Sequence, residues 1–304
     1  MKYDITLLTD ARYVAPKPGD WYVENIHLED RLLREALERR GLRVHRTHWD
    51  DPEMDWTQTR AAVFRTTWDY FDRFGEFAPW LDRVSELTQF LNPLSLVRWN
   101  MNKRYLSDLE LLGVNIPPTE FISVGDQRTL LEIMDFRGWR ECVLKPAVGG
   151  AGRHTYRLDC SNWQGVEGQF RELVAEEQML LQAFLPSVPE RGEVTLMFMN
   201  GQYTHAVLKR AKDGDFRVQD DFGGTVREYH PSRSEIEFAQ AVINLCSPMP
   251  IYGRVDMVWD LDGDPAVSEL ELIEPELWMR NCPESAELFA EGLVNALANL
   301  GGAR

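Results

Sequence analysis

The residues best suited to chemistry lie on two short stretches far apart in the chain. Arg254-Val-Asp256 is followed by Glu269-Leu-Glu271, thirteen residues beyond the aspartate. A spacing of two puts both glutamates on one face of a strand, with Leu270 and Leu272 on the other. Leu261-Asp-Gly-Asp264 between the two stretches is a turn signal and predicts a hairpin that turns Asp256 toward the glutamates. Converging carboxylates repel one another unless a cation lies between them, and an all-oxygen set suits Mg²⁺. A solvent-facing acidic strand is the alternative reading. Asp260, Asp262 and Asp264 resemble half of a calcium loop, but the downstream ligands are missing, so a plain turn is expected there.

The second stretch is Val143-Leu-Lys145-Pro-Ala-Val-Gly149-Gly150-Ala-Gly152. A lysine at the end of an apolar strand leads into a loop whose small residues let backbone N–H groups approach an anion. The spacing fits neither a P-loop nor a dinucleotide fingerprint, and a flexible hairpin loop remains the alternative. Two weaker signals accompany these. Met179-Leu-Leu-Gln182-Ala-Phe184-Leu185 is a strand ending in a linker that could meet a purine edge, or a simple core strand. Arg65-Thr-Thr-Trp68-Asp-Tyr70 closes an apolar strand, where open α/β sheets place ligands. Trp68 and Tyr70 could equally be packing residues, and either Arg65 or Arg12 could hold a substrate carboxylate.

Strands and helices must position these groups. Residues 4–10, 42–46, 61–67 and 89–92 read as strands, alternating with helices over Ile26–Arg40 and Glu76–Leu87. That alternation predicts a mainly parallel sheet over 1–98. A helix from near Asn102 carries Tyr105, Leu106, Leu109 and Leu112 on its apolar face and stops at Gly113. Strands over 120–124, 141–146, 154–158 and 179–185 with helices over 129–136 and 163–177 complete a central unit, 99–185. The remaining unit, 186–304, changes character: Asn200-Gly201 and the 261–264 turn mark two hairpins and hence an antiparallel sheet, with helices over 234–246 and 283–300.

Composition narrows the partners. The chain has 304 residues, with 33 Lys+Arg against 49 Asp+Glu and a net charge of −16. Such a field disfavours nucleic acid and anionic membranes but leaves room for a small anion held by local cations. No apolar run is long enough to span a bilayer, and no secretory pattern opens the chain. The expectation is a cytoplasmic protein whose cysteines (142, 160, 246 and 282) are reduced and mostly fill core.

In this order the pieces resemble the ATP-grasp superfamily. They are most similar to the bacterial subfamily that includes D-cycloserine-forming ligases, and also resemble glutathione-synthetase-like and D-alanine:D-alanine ligases. The resemblance also rests on Thr66-Thr-Trp-Asp-Tyr70, Asn92-Pro93, Arg98-Trp-Asn-Met-Asn-Lys103-Arg-Tyr-Leu106, Gly192-Glu-Val-Thr195, His205-Ala-Val-Leu-Lys209, Phe216-Arg-Val-Gln219, Phe222-Gly-Gly224 and Glu269-Leu-Glu-Leu-Ile-Glu274-Pro. It implies an α/β (α+β) fold: an N-terminal parallel α/β domain, a central α+β lid and a C-terminal domain with an antiparallel sheet.

The same resemblance implies residue roles. Lys103 and Lys145 would hold the phosphates of ATP, beneath a loop of Gly149, Gly150 and Gly152. Gln182 would meet the adenine amino group, with Phe184 and Leu185 as hinge and Glu193 on the ribose. Asp256, Glu269 and Glu271 would bind two Mg²⁺, with Mn²⁺ as a substitute and Glu274 as a competing ligand. Arg254 would touch the transferred phosphoryl group, with Lys209 and Arg217 on the phosphate or substrate side. The implied activity joins a small carboxylate to an amine through a phosphorylated intermediate, possible as a homodimer. Ring closure within one molecule, a protein-modifying ligase and a non-catalytic ATP-binding module are its alternatives.

Overall fold

In the computed structural model, residues 1–212 and 223–301 are described. Four parallel strands open the chain: β1 (Tyr3–Thr9), β2 (Val44–His48), β3 (Thr59–Thr66) and β4 (Gln89–Phe90), in the order β2-β1-β3-β4. Their crossovers carry α1 (Trp21–Arg39) and α2 (Phe74–Ser85). β1 and β3 are buried along nearly their whole length, because both faces of the sheet are covered. Ile5, Leu7, Ala61 and Val63 pack with Leu33, Ala36 and Leu37 of α1, while Leu8, Ala62 and Phe64 pack with Phe77 and Trp80 of α2. α1 starts five residues before the periodicity suggested, because the Asp20 carboxylate accepts from Val23 N at 3.2 Å and caps it there.

After Pro93 come α3 (Leu94–Asn100) and α4 (Tyr105–Leu111). The sequence reading missed α3, whose seven residues are too few to show a period. Leu112, expected on the apolar face of α4, is 60% exposed, because the helix ends at Leu111 and Gly113 turns the chain away at φ +89°.

The central sheet is antiparallel: β5 (Thr119–Ile122), β6 (Glu141–Pro146), β7 (Tyr156–Asp159) and β8 (Met179–Ala183), in the order β5-β8-β6-β7. α5 (Leu130–Arg137) and α6 (Trp163–Glu176) cover one face, burying Ile133, Met134 and Phe170 against Cys142, Leu144 and Leu181. The strand period of two then sends Val143 and Lys145 to the opposite face, away from that core.

The C-terminal sheet has five antiparallel strands: β9 (Glu193–Met199), β10 (Gln202–Arg210), β11 (Thr225–Tyr229), β12 (Tyr252–Trp259) and β13 (Pro265–Glu271), in the order β11-β10-β9-β12-β13. Asn200 (φ 51°) and Gly201 (φ 73°) make the expected β9–β10 turn with both central residues left-handed. α7 (Ser187–Arg191) precedes β9, and α8 (Arg233–Leu245) and α9 (Ser285–Gly301) follow β11 and β13. One sheet face packs Leu196, Phe198, Val255 and Leu270 against Val242 and Ile243 of α8 and Tyr105, Leu106 and Leu109 of α4.

The other face is divided. Met197, Met199, Val207 and Tyr252 pack against Phe289, Ala290 and Leu293 of α9 and continue into the core under β1 and β3. The remaining part carries charge. Cys142 and Cys246 are buried as expected, whereas Cys282 is half-buried and Cys160 is exposed.

Phe289 is fully buried, with its ring 4.8 Å from that of Tyr252 and Arg65 above it at 5.7 Å. Phe289→Ala should cost about 3–5 kcal/mol through the cavity it leaves. The check is the denaturant midpoint; an unchanged midpoint would show that α9 does not join the two sheets.

Candidate active site

The charged part of the divided face follows from strand register. Glu271 lies opposite Arg254, Glu269 opposite Asp256, Thr195 opposite Asp256, and Glu193 opposite Lys209. A bulge between Asp256 and Met257 leaves Ser268 unmatched on β13, with its hydroxyl donating to Glu193 Oε2 at 2.8 Å and Asp256 O at 3.0 Å. Carboxylate oxygens of Asp256, Glu269 and Glu271 fall within 4.8 Å of one another, the grouping that the spacing predicted. Glu274 does not join that grouping among the described residues, and Trp68 Nε1 donates to its backbone carbonyl at 2.9 Å.

Each acid is held by a cation. Arg254 donates to both oxygens of Asp256, at 2.9 and 2.8 Å, and also pairs with Glu271. Lys209 bridges Asp256 at 2.9 Å and Glu193 at 2.5 Å. Lys103 pairs with Glu269 and donates to Gly149 O at 2.8 Å. Burial opposes the Asp256 carboxylate, but Arg254 and Lys209 hold it well below the usual carboxylate range. Burial pushes Glu271 up to about 7; Arg254 resists this, and Glu269 and Asp256 add to it. Burial, and then repulsion from Glu271, push the Glu274 carboxyl well above the usual carboxylate range.

Lys145, on the cleft face of β6, has no ion pair among the described residues. Burial pulls its ammonium down to about 8; Glu269 opposes the shift and Lys103 reinforces it. A cation kept without a fixed partner is suited to an anion that comes and goes.

These groups surround one cleft of about 500 Å³ between the central and C-terminal sheets. Lys103, Lys145, Gly149, Gly150, Gly152, Gln182, Phe184, Leu185, Glu193, Lys209, Arg254, Asp256, Glu269 and Glu271 all line it. Arg217 lies outside the described residues, as do Phe216–Gln219 and Phe222 of the matched stretches. The glycine loop rests against the N-terminal sheet's connection: a Cβ on Gly150 would come within 2.7 Å of the Phe71 ring. Arg153 reaches Asp72 at 3.3 Å and Glu177 at 2.9 Å. Gln182 donates through its amide to Thr119 Oγ1 at 2.9 Å.

Of the two arginines considered for a substrate, Arg12 lines the cleft, braced by Asp10 and by the Trp68 carbonyl at 3.2 Å. Arg65 does not line it: 1% exposed, it sits 3.5 Å from Asp30 and faces a second, water-sized cavity. Trp68 lines the cleft, whereas Tyr70 is buried packing. Asp260 accepts from the amides of Asp262 and Asp264 at 2.9 Å, the plain turn expected. Sequence reasoning missed Thr195, Ser268, Tyr13, Tyr22, Glu276 and Trp278. Thr195 closes the matched stretch Gly192–Thr195 but carried no role there; the others meet the site only through register and packing.

Residues 5–92 match the family described as the N-terminal domain of D-cycloserine synthetase DcsG. Residues 115–249 match the ATP-grasp domain of prokaryotic glutathione synthetase. The chain is 34% identical over 281 residues to the cycloserine biosynthesis protein DcsG of Streptomyces lavendulae, covering 87% of this chain and 92% of that one. A crystal structure of D-cycloserine synthetase DcsG superposes with a TM-score of 0.82 at 32% identity, over 96% of this chain and 99% of that one. The fold is shared with a D-alanine–D-alanine ligase from Bacillus anthracis, at TM-score 0.67 and 14% identity over 98% of each chain.

The Lys145 ammonium is lost as pH rises through about 8. Affinity for a polyphosphate should therefore be level below pH 7 and fall up to about tenfold per pH unit above 8. Lys145→Arg should remove the slope. Calorimetric titration of ADP across pH 6.5–9.5 checks this, and a flat profile for the native protein would contradict it.

Proposed function

This chain belongs to the ATP-grasp ligases, in the family of the cycloserine biosynthesis protein DcsG, and we propose that its cleft activates a small carboxylate by phosphoryl transfer from ATP. The acylphosphate is then open to attack by an amine or similar nucleophile, with ADP and phosphate as co-products. A carboxylate is a poor electrophile; when its oxygen attacks the γ-phosphorus, ADP departs, and the phosphorylated oxygen later leaves as phosphate when the amine attacks the carbonyl carbon. No side chain needs to form a covalent bond; positioning and charge neutralisation do the work. The observation that carries this reading is the meeting, in one cleft, of Lys145, Lys209 and Arg254 from three strands and Lys103 from the turn before α4 with three clustered carboxylates.

Residue by residue, Lys103 and Lys145 take the phosphates from the central side, beneath the loop of Gly149, Gly150 and Gly152. Phe184 and Leu185 would cover the base, Gln182 would meet its edge, and Glu193 would bind the ribose. Arg254 and Lys209 meet the charge that grows on the transferred group, where fixed donors in a dry site are worth several kcal/mol. The glycine loop, seated on Phe71, excludes water that would hydrolyse an acylphosphate.

Three converging oxygen donors, one of them lifted toward neutrality by burial and by the two acids beside it, fit a divalent cation. Asp256, Glu269 and Glu271 would hold two Mg²⁺, or Mn²⁺ in their place. When bound, such ions neutralise polyphosphate charge and fix its geometry.

The substrate would enter where Arg12, Tyr13, Tyr22, Trp68 and Trp278 form the far wall of the cleft. Ring closure within one molecule is the second reading, favoured by a relative named for D-cycloserine synthesis.

Lys145→Ala and Glu269→Ala should each lower ADP formation by at least about a hundredfold while leaving the melting temperature within a few degrees. Glu269→Ala with full activity would remove the metal assignment. The decisive assay is phosphate release with ATP, Mg²⁺ and panels of amino acids, trapped with hydroxylamine. Hydroxamate identifies the activated carboxylate; ATP binding without release on any panel would favour the non-catalytic or protein-modifying readings.

A further inference from the structure

β13, which carries Glu269 and Glu271, is the edge strand of its sheet, and an edge strand is free to slip or fray. Here its outer edge is occupied by side chains rather than by another strand. Leu270 N donates to Tyr105 Oη at 3.0 Å. Asn100 donates through Nδ2 to Leu270 O at 2.8 Å, and its Oδ1 accepts from Leu272 N at 2.8 Å. Asn92 donates to Leu272 O at 2.8 Å and to Tyr252 O at 2.7 Å, and accepts from Ile251 N at 2.6 Å. Further along, Val267 N donates to Asn115 O at 2.9 Å. Asn92, Asn100 and Tyr105 are all buried, at 0%, 7% and 2% exposure, so water does not replace them.

An asparagine amide offers a donor and an acceptor in one plane, as a peptide does, and Asn100 uses both on the two residues that flank Glu271. A one-residue slip of β13 would send both glutamates to the opposite face, against α4 and α8. The same covering segment carries Lys103, whose Nζ reaches Glu269 and whose backbone N–H donates to Ala147 O at 2.8 Å, where the glycine loop begins. One stretch of chain therefore fixes the edge of the carboxylate strand and supplies the lysine facing it.

We propose that Asn100 and Tyr105 are positioning residues that lock the register and height of the Glu269–Glu271 strand against Lys103, so that the carboxylates converge before any cation arrives. The proposal rests on the reading of those carboxylates as metal ligands. Leu270 and Leu272 bring only their backbone to the clamp, so nothing in the side-chain pattern of β13 duplicates it.

The test is Mn²⁺ binding to the full-length protein with ADP, followed by electron paramagnetic resonance, alongside ADP affinity without metal. Tyr105→Phe deletes one hydroxyl, and Asn100→Ala deletes the paired bonds. Leu33→Ala, in the core of α1 and away from β13, is a control for general destabilisation. Tyr105→Phe should weaken Mn²⁺ about tenfold and Asn100→Ala further, with metal-free ADP affinity held within about twofold, while Leu33→Ala leaves both unchanged.

If Asn100→Ala does not fold, Tyr105→Phe decides alone. Mn²⁺ affinity within twofold of native in Tyr105→Phe, or an equal loss in Leu33→Ala, would overturn the positioning role. A native protein that binds no Mn²⁺, or a Glu269→Ala protein that binds it normally, would overturn the metal reading and this inference with it. Native binding lost in Glu269→Ala but kept in the clamp variants would overturn this inference alone.

Discussion

Like charge crowded onto one sheet face is the constraint that shapes the rest of the molecule. Carboxylate oxygens within 4.8 Å of one another repel by at least roughly 3 kcal/mol per ionised pair at an effective dielectric near 20. Exposed ion pairs do not offset that. The fold responds with buried cations brought alongside: Arg254 two residues before Asp256 on the same strand, Lys209 across β9, and Lys103 from the turn over the β13 edge. The compensation is partial. Glu271 and Glu274 remain pushed up by burial and by their neighbours, and Lys145 is pulled down. Groups held away from their ordinary ionisation are the ones that gain when a polyphosphate and its counter-cations enter.

The architecture is arranged around that face. The C-terminal sheet gives one side wholly to an apolar core and splits the other, so α9 and the N-terminal sheet hold half of it while the charged half stays open to the cleft. The central sheet closes the opposite wall, with its helices turned outward and Lys145 turned inward by alternation. Aromatic rings from the N-terminal unit, Tyr13 and Trp68 5.8 Å apart, stand where cleft and substrate would meet. Glycine loop, carboxylate strands and aromatic wall thus come from three parts of the chain and meet at one place.

Much of this was legible from residue order. Period-two patterning at Glu269-Leu-Glu271 and the turn at 261–264 were enough to place the metal-type cluster. The alternating elements pointed to the parallel N-terminal sheet, and the motifs held the strand cations, carboxylates and glycine loop of the cleft wall but not Tyr13, Tyr22, Phe71 or Trp278. Other features were invisible for physical reasons. α3 is too short to show a helical period, and Leu112 fails as a core residue only because the chain turns at Gly113. Arg65 ends an apolar strand exactly as a ligand-facing residue would, yet pairs inward with Asp30, a choice set by α1 packing that no local pattern encodes. Asn92 and Asn100 stood inside matched stretches, but their bonds to β13 depend on tertiary contact across more than 150 residues.

The central claim is that cations and acids on this face form one site for a nucleotide triphosphate with its metal. Its most direct test is calorimetric titration of a non-hydrolysable ATP analogue with and without Mg²⁺ at neutral pH. The account predicts a single site per chain, tightened at least about a hundredfold by Mg²⁺, with the gain lost in Asp256→Asn. Equal affinity with and without the metal, or no binding in either case, would contradict it.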